Sequence, residues 1–154
     1  MKIVEIKATD KIDECWDLLQ AHREELATHK NLMILKPDIQ KYKILEDKNA
    51  LFTLALYDED KIVGYSVNVL TNNLHYSDLI MAQNDLLFLR KDLRKGRHGL
   101  SLIRATEVAA AARGAKYIIF HAKPGTAFSD IMPKLGYGIQ DIMFGRVLEN
   151  TENP

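Results

Sequence analysis

The sequence has a single cysteine, Cys15, so no internal disulfide can form. Its helical spacing with Ile12 and Leu19 points to core packing, and a lone thiol suits a reducing cytoplasm, the expected location. Neither charge is in excess: Lys plus Arg and Asp plus Glu number 21 each, so no global field draws the protein to nucleic acid or to a membrane. There is no run of about 18 apolar residues, and the opening MKIVEIKATD carries a charge every few positions, so neither export nor membrane spanning is expected. Histidine and cysteine do not cluster. His22 and His29 stand seven apart with no third ligand at a metal-like spacing, and the expectation is no metal. Ser101 and Cys15 lack the neighbours of an activated nucleophile.

What is present is enough apolar material for one core: 154 residues, 47% of them hydrophobic. The expectation is one domain over residues 1–148 and a polar tail over 149–154. Lys2 to Ala8 reads as a strand, followed by a helix capped by Thr9 or Asp10 with Ile12, Cys15, Trp16, Leu19 and Leu26 on one side. Pro37-Asp38 starts a second, shorter helix. Leu51 to Tyr57 and Lys61 to Leu70 form a hairpin about Asp58-Glu59-Asp60. Leu79 to Leu89 is the next strand, broken in polarity at Gln83, Asn84 and Asp85, where unpaired burial would be costly; a break in pairing, or a site, would account for them.

A loop then crowds Arg90, Lys91, Arg94, Lys95 and Arg97 together with Gly96 and Gly99. After it comes an Ala- and Leu-rich helix to Arg113, with Leu102, Ala105, Ala109 and Ala112 in one row, Arg104, Glu107 and Arg113 facing out, and Gly114 as its stop. Lys116 to His121 is a nearly continuous apolar strand of the covered, parallel type. Pro124-Gly125 opens a helix to about Lys134, and Ile139 to Leu148 reads as a last strand. A glycine-bearing turn at the start of a helix exposes backbone N–H groups and the positive end of the dipole, and so attracts anions, above all phosphate.

Arg94-Lys95-Gly96-Arg97-His98-Gly99 resembles the pattern Arg/Gln-x-x-Gly-x-Gly/Ala that opens the main helix of the GNAT superfamily, the acetyl-CoA-dependent N-acetyltransferases, with Arg97 where the family usually has its first glycine. Pro133-Lys134-Leu135-Gly136-Tyr137 is similar to the family's second signature, and Ile62-Val63-Gly64-Tyr65 to the phrase that follows its second-to-third strand turn. The resemblance covers essentially the whole chain. It implies an α/β (α+β) fold with a mixed, mostly antiparallel sheet of six to seven strands flanked by about four helices, and an acetyl-CoA-dependent N-acetyltransferase.

Acetyl-CoA as co-substrate would bond main-chain groups of Leu87 and Leu89 through its pantetheine arm, and its pyrophosphate would rest on the turn formed by Arg94, Lys95, Gly96, Arg97, His98, Gly99 and Leu100. Asp85 occupies the place of the carboxylate that takes a proton from the acceptor amine, with a strand-ending or ion-pairing Asp85 as the plainer alternative. Met132 stands where the family often has the tyrosine that returns a proton to the thiolate, which leaves a water, Tyr137 or His121 for that role. The acceptor would be a small-molecule or protein amine, and a homodimer is a family-level expectation. Two alternatives remain open on the residues: a catalytically silent acyl-CoA-binding or interaction module, and a nucleic-acid backbone binder acting through Arg90 to His98.

Overall fold

Strand pairing organises the first 121 residues. The computed structural model describes residues 1–148, and the chain divides into two compact units, 1–121 and 122–154. The first unit holds a five-stranded sheet in the order β1 (Lys2–Ile6), β2 (Leu51–Asp58), β3 (Lys61–Asn72), β4 (Ile80–Leu89), β5 (Tyr117–Phe120). The β1–β2, β2–β3 and β3–β4 pairings are antiparallel and β4–β5 is parallel. Short connections join β2 to β3 and β3 to β4, residues 7–50 separate β1 from β2, and the parallel step from β4 to β5 requires a crossover. A one-turn 3-10 helix, Lys91–Leu93, and a long helix supply it. The helices of this unit are α1 (Ala8–Leu26), α2 (Ile39–Asp47) and α3 (His98–Ala112). The second unit holds α4 (Ala127–Ile131) and a 3-10 turn, Pro133–Leu135, which Gly136 ends in a left-handed conformation (φ 90°).

The two faces of the sheet carry separate cores. Leu18, Leu51, Tyr65, Val67 and Phe88 pack together on the α1 side, where Tyr42 and Leu45 of α2 join them. Phe52, Leu54, Ala82, Leu102 and Ala110 form the α3 side. The small side chains of Ala82 and Ala110 let α3 lie close on the sheet.

Several expectations are corrected. The sheet has five strands among the described residues instead of six or seven: Ile139 to Leu148 has no regular secondary structure, and Ile139, Ile142, Met143 and Phe144 are exposed. An alternating pattern makes a strand only where an edge accepts its hydrogen bonds. The expected tail, 149–154, lies outside the described residues. β5 is less covered than its apolar run implied, because it is the edge strand and its Tyr117 is exposed. Trp16, expected on the buried side of α1, is exposed. Neither Thr9 nor Asp10 caps α1. The helix begins at Ala8, and Glu46 of α2 accepts from the Ala8 and Thr9 N–H groups (2.6 and 3.4 Å) and from Thr9 Oγ1 (2.7 Å). A carboxylate from another helix thus satisfies donors that a local cap would otherwise take. Arg113 does not face out either: its guanidinium lies 4.4 Å over the Phe52 ring and pairs with Glu5, so its stem covers the core.

Where β3 passes β4, Gly64 is required by space. A Cβ there would meet the Phe88 carbonyl oxygen and Leu89 Cδ1 at 3.0 Å, whereas one on Gly99 would meet only Leu89 Cδ2 at 3.8 Å. Gly64→Ala should therefore lower stability by roughly 1–3 kcal/mol, and Gly99→Ala should leave it unchanged or slightly raised. Urea unfolding of both variants checks the contrast.

Candidate active site

The polar break in β4 is a bulge. Leu86 pairs with Val67 and Asn84 with Asn68, so Asp85 is an extra residue opposite no partner on β3. Its side chain is exposed. Asn84, by contrast, is 2% exposed and belongs to a buried polar cluster beneath α3. The Asn84 amide nitrogen lies within 2.8–3.3 Å of Asn68 Oδ1, Ser66 Oγ and the carbonyls of Leu86 and Val67. Thr106 of α3 donates to Ser66 Oγ at 2.8 Å. The carbonyls of Leu86 and Val67 are main-chain groups at the bulge itself, so this network holds the irregularity in one geometry.

The parallel pairing of β4 with β5 stops at the same point. It runs from Met81–Tyr117 to Asn84–Phe120, while β4 continues to Leu89. Leu87 and Leu89 thus lie in a stretch with no strand on the β5 side. The Leu89 carbonyl accepts from Arg94 Nε at 2.8 Å. His121, just past the end of β5, accepts at Nε2 from the Gln83 amide (3.0 Å) beside the same divergence.

The basic turn lies at the far end of β4. No backbone or side-chain acceptor among the described residues meets the N–H groups of Lys95, Gly96, Arg97, His98, Gly99 or Leu100, and the first α3 N–H to be satisfied beyond them is that of Ser101, on the Arg97 carbonyl (2.9 Å). No side chain caps α3 and no acidic residue stands in its first turn. Arg97, the residue in place of the motif glycine, has φ −84° and ψ −2°, a right-handed conformation open to any residue, so its backbone carries no strain. The basic side chains divide. Arg94 turns back into the protein, bonding both oxygens of Glu25 on α1 (2.5 and 2.8 Å) and lying 5.0 Å over the Phe88 ring. This pairing holds the Glu25 carboxyl below its ordinary range. Arg90 pairs with its near neighbour Asp92. Lys95 and Arg97 are exposed.

On the α1 side of the sheet lies a cavity of about 360 Å³, lined by α1, the 27–37 segment, α2 and strands β1 to β4. Its wall is apolar over most of its extent, with Ile6, Ile12, Leu19, Leu35, Val67 and Leu86 prominent. Besides the charged Arg23 and Lys36, three hydroxyl groups interrupt it. The Tyr65 hydroxyl is hydrogen-bonded to His22 Nδ1 (2.7 Å), and His22 stacks on Phe88 at 4.6 Å between ring centres. The Tyr42 phenol is pushed up to about 12 by burial and then by the charge of Asp85. The third, Thr53 Oγ1, is buried without a hydrogen-bond partner. Sequence reasoning gave no site role to Thr53 or Tyr42 and weighed His22 only as a metal ligand. For His22 a signal existed, since Leu18, His22 and Glu25 recur at helical spacing and all three meet the sheet side of α1. Thr53 gave none, being one threonine in a strand.

No protein-family model and no curated protein sequence matches this chain. Solved structures do match in fold. An aminoglycoside acetyltransferase from an uncultured soil metagenomic sample superposes with a TM-score of 0.76 at 17% identity, covering 96% of this chain and 98% of that one. Another from such a sample, in complex with sisomicin, gives 0.73 at 20% identity over 96% of each chain. A ribosomal-protein-alanine N-acetyltransferase from Brucella melitensis biovar Abortus 2308 gives 0.69 at 15% identity, over 97% of this chain and all of that one.

The buried thiol and phenol beside the cavity make stability fall in alkali. Burial raises Cys15 from 9.0 to about 11, and Tyr42 rises from 10.0 to about 12. Both raised groups are neutral when folded, so their contribution is complete below pH 9 and is lost as pH climbs through the folded values. Cys15→Ala should remove roughly 1–2 kcal/mol of that loss between pH 9 and 11. Urea midpoints across this range, compared with the parent protein, check it.

Proposed function

We propose that this chain, which has the fold of the GNAT superfamily, is an N-acyltransferase that moves an acetyl group from acetyl-CoA to an amine in a ternary complex. The observation that carries the reading is the pairing of two features: six consecutive main-chain N–H groups, from Lys95 to Leu100, with no well-aligned acceptor among the described residues, and a β4 that β5 leaves just before the segment leading to them. Together they supply donors for a diphosphate and main-chain groups for an extended amide-bearing arm. In this reading Lys95 to Leu100 hold the pyrophosphate, Lys95 and Arg97 add side-chain charge, and Leu87 and Leu89 meet the pantetheine. Arg94, clamped to Glu25, fixes the turn from behind.

Asp85 is the proposed base. A bulge aims a side chain out of the regular alternation, and the Asp85 carboxylate is exposed, next in the chain to Leu86 of the cavity wall and close enough for its charge to act on Tyr42. It would take a proton from the acceptor ammonium, and the neutral amine would then attack the thioester carbonyl, losing a further N–H proton as the new N–C bond forms and the C–S bond breaks. The departing thiolate takes up a proton, for which His121, at the strand divergence beside Gln83, or a water is the proposed source. The acceptor is a small-molecule or protein amine.

The nucleic-acid alternative loses much of its charge in this arrangement, since Arg90 and Arg94 are both committed to carboxylates. Calorimetry with CoA is the direct test. The parent protein should bind CoA with weak salt dependence, and Arg97→Glu should weaken binding about 10- to 100-fold without changing thermal stability. Unchanged affinity removes the diphosphate assignment. Asp85→Asn should keep CoA affinity and lower kcat/KM for an accepted amine by roughly 10²- to 10⁴-fold. Turnover that survives this change at full rate removes the base.

A further inference from the structure

The cavity on the α1 side says what kind of amine fits. No carboxylate stands among its lining residues, whose only charged members are Arg23 and Lys36. The Arg23 guanidinium is already bonded to the carbonyls of Met33 and Lys30 and to Glu24, and Lys36 is exposed. An amine with several positive charges would leave water for an apolar wall with no counter-charge, and desolvating an unpaired cation is costly. An apolar body, in contrast, meets Ile12, Leu19, Val67 and Leu86 and gains from burial. One polar demand stands inside that wall. Thr53 is 2% exposed, and its Oγ1 has neither donor nor acceptor in reach. A buried hydroxyl left so costs stability until a partner arrives.

We infer that the acceptor is a small monoamine with an aliphatic or aromatic body, seated in this cavity with one hydrogen-bonding atom on Thr53 Oγ1 and its amino end toward Asp85. The inference deepens the transfer reading above and rests on it. The body replaces water along the apolar wall, the hydroxyl partner sets its depth, and the amine emerges beside the bulge, past Tyr42 and Leu86. Polyamines are excluded by the missing carboxylates, and a small amino acid such as β-alanine is disfavoured because it has no apolar body to cover the wall.

The experiment is 15N amide NMR titration of the full chain, without any acyl donor, by 2-phenylethylamine, tyramine, spermidine and β-alanine. The two aryl amines should shift the amides of Thr53, Val67 and Leu86 and bind at least about tenfold tighter than spermidine or β-alanine. Thr53→Val, close in shape, should weaken tyramine roughly three- to tenfold and leave 2-phenylethylamine unchanged. Ala27→Phe, which fills the cavity from the end of α1, should weaken both aryl amines. Equal binding of spermidine or β-alanine, or aryl amine binding indifferent to Ala27→Phe, overturns the proposal, and tyramine binding indifferent to Thr53→Val overturns the hydroxyl contact. Acetyl transfer assays on the same panel separate the two readings. Aryl amines that bind here and are never acetylated remove the transferase and leave the ligand class, whereas acetylation of spermidine in preference to them removes the ligand class and leaves the transferase.

Discussion

The side-chain amide of Asn84 is the contact on which the rest of the first unit turns. It sits where β4 takes in one residue too many, and it spends its hydrogens on carbonyls of that irregularity and on the buried Ser66–Asn68 pair, which Thr106 ties to α3. A polar cluster buried to this degree is costly unless every member is satisfied, and satisfied clusters fix one arrangement where an apolar core tolerates several. The arrangement fixed here holds Asp85 as an exposed extra residue at the point where the β4–β5 pairing ends.

From that point the strand serves two helices differently. Leu86 and Phe88 go to the α1 core, and Leu87 and Leu89 go toward α3 and the turn before it. Arg94 links these halves: it bonds the last carbonyl of β4, lies over Phe88 and is held by Glu25, while Phe88 stacks on His22, which bonds Tyr65 in the cavity wall. The turn that faces the proposed diphosphate and the wall that faces the proposed acceptor are thus joined by one chain of ring and charge contacts.

Much of this was legible in the sequence, for identifiable reasons. Apolar periodicity is a local signal, so β2, β3, β4 and α3 lie close to where it put them, and Pro37-Asp38 marked α2 because Asp38 does cap it, accepting from the Lys41 N–H at 3.0 Å. Polar residues inside β4 announced an irregularity before its form was known. What could not be read depends on partners distant in the chain. Glu46 caps a helix 38 residues away, Arg113 folds onto Phe52, and Arg94 leaves the turn for α1. Ile139 to Leu148 has the alternation of a strand and no neighbour to complete it among the described residues. Neither the cavity nor the unpartnered hydroxyl of Thr53 has any signature along the chain, since each exists only when β2, α1 and α2 come together.

The bulge has one more implication. Side chains on β4 reach α3 at Ala82 and Asn84 and again at Leu87 and Leu89, a gap of three where a regular strand has two. With position 85 taken out, the alternation would close up and every remaining side chain would keep the helix it now faces. The core therefore has no use for Asp85. It is the one residue of that strand whose presence packing leaves unexplained, and whatever keeps it in the chain acts from outside the hydrophobic interior.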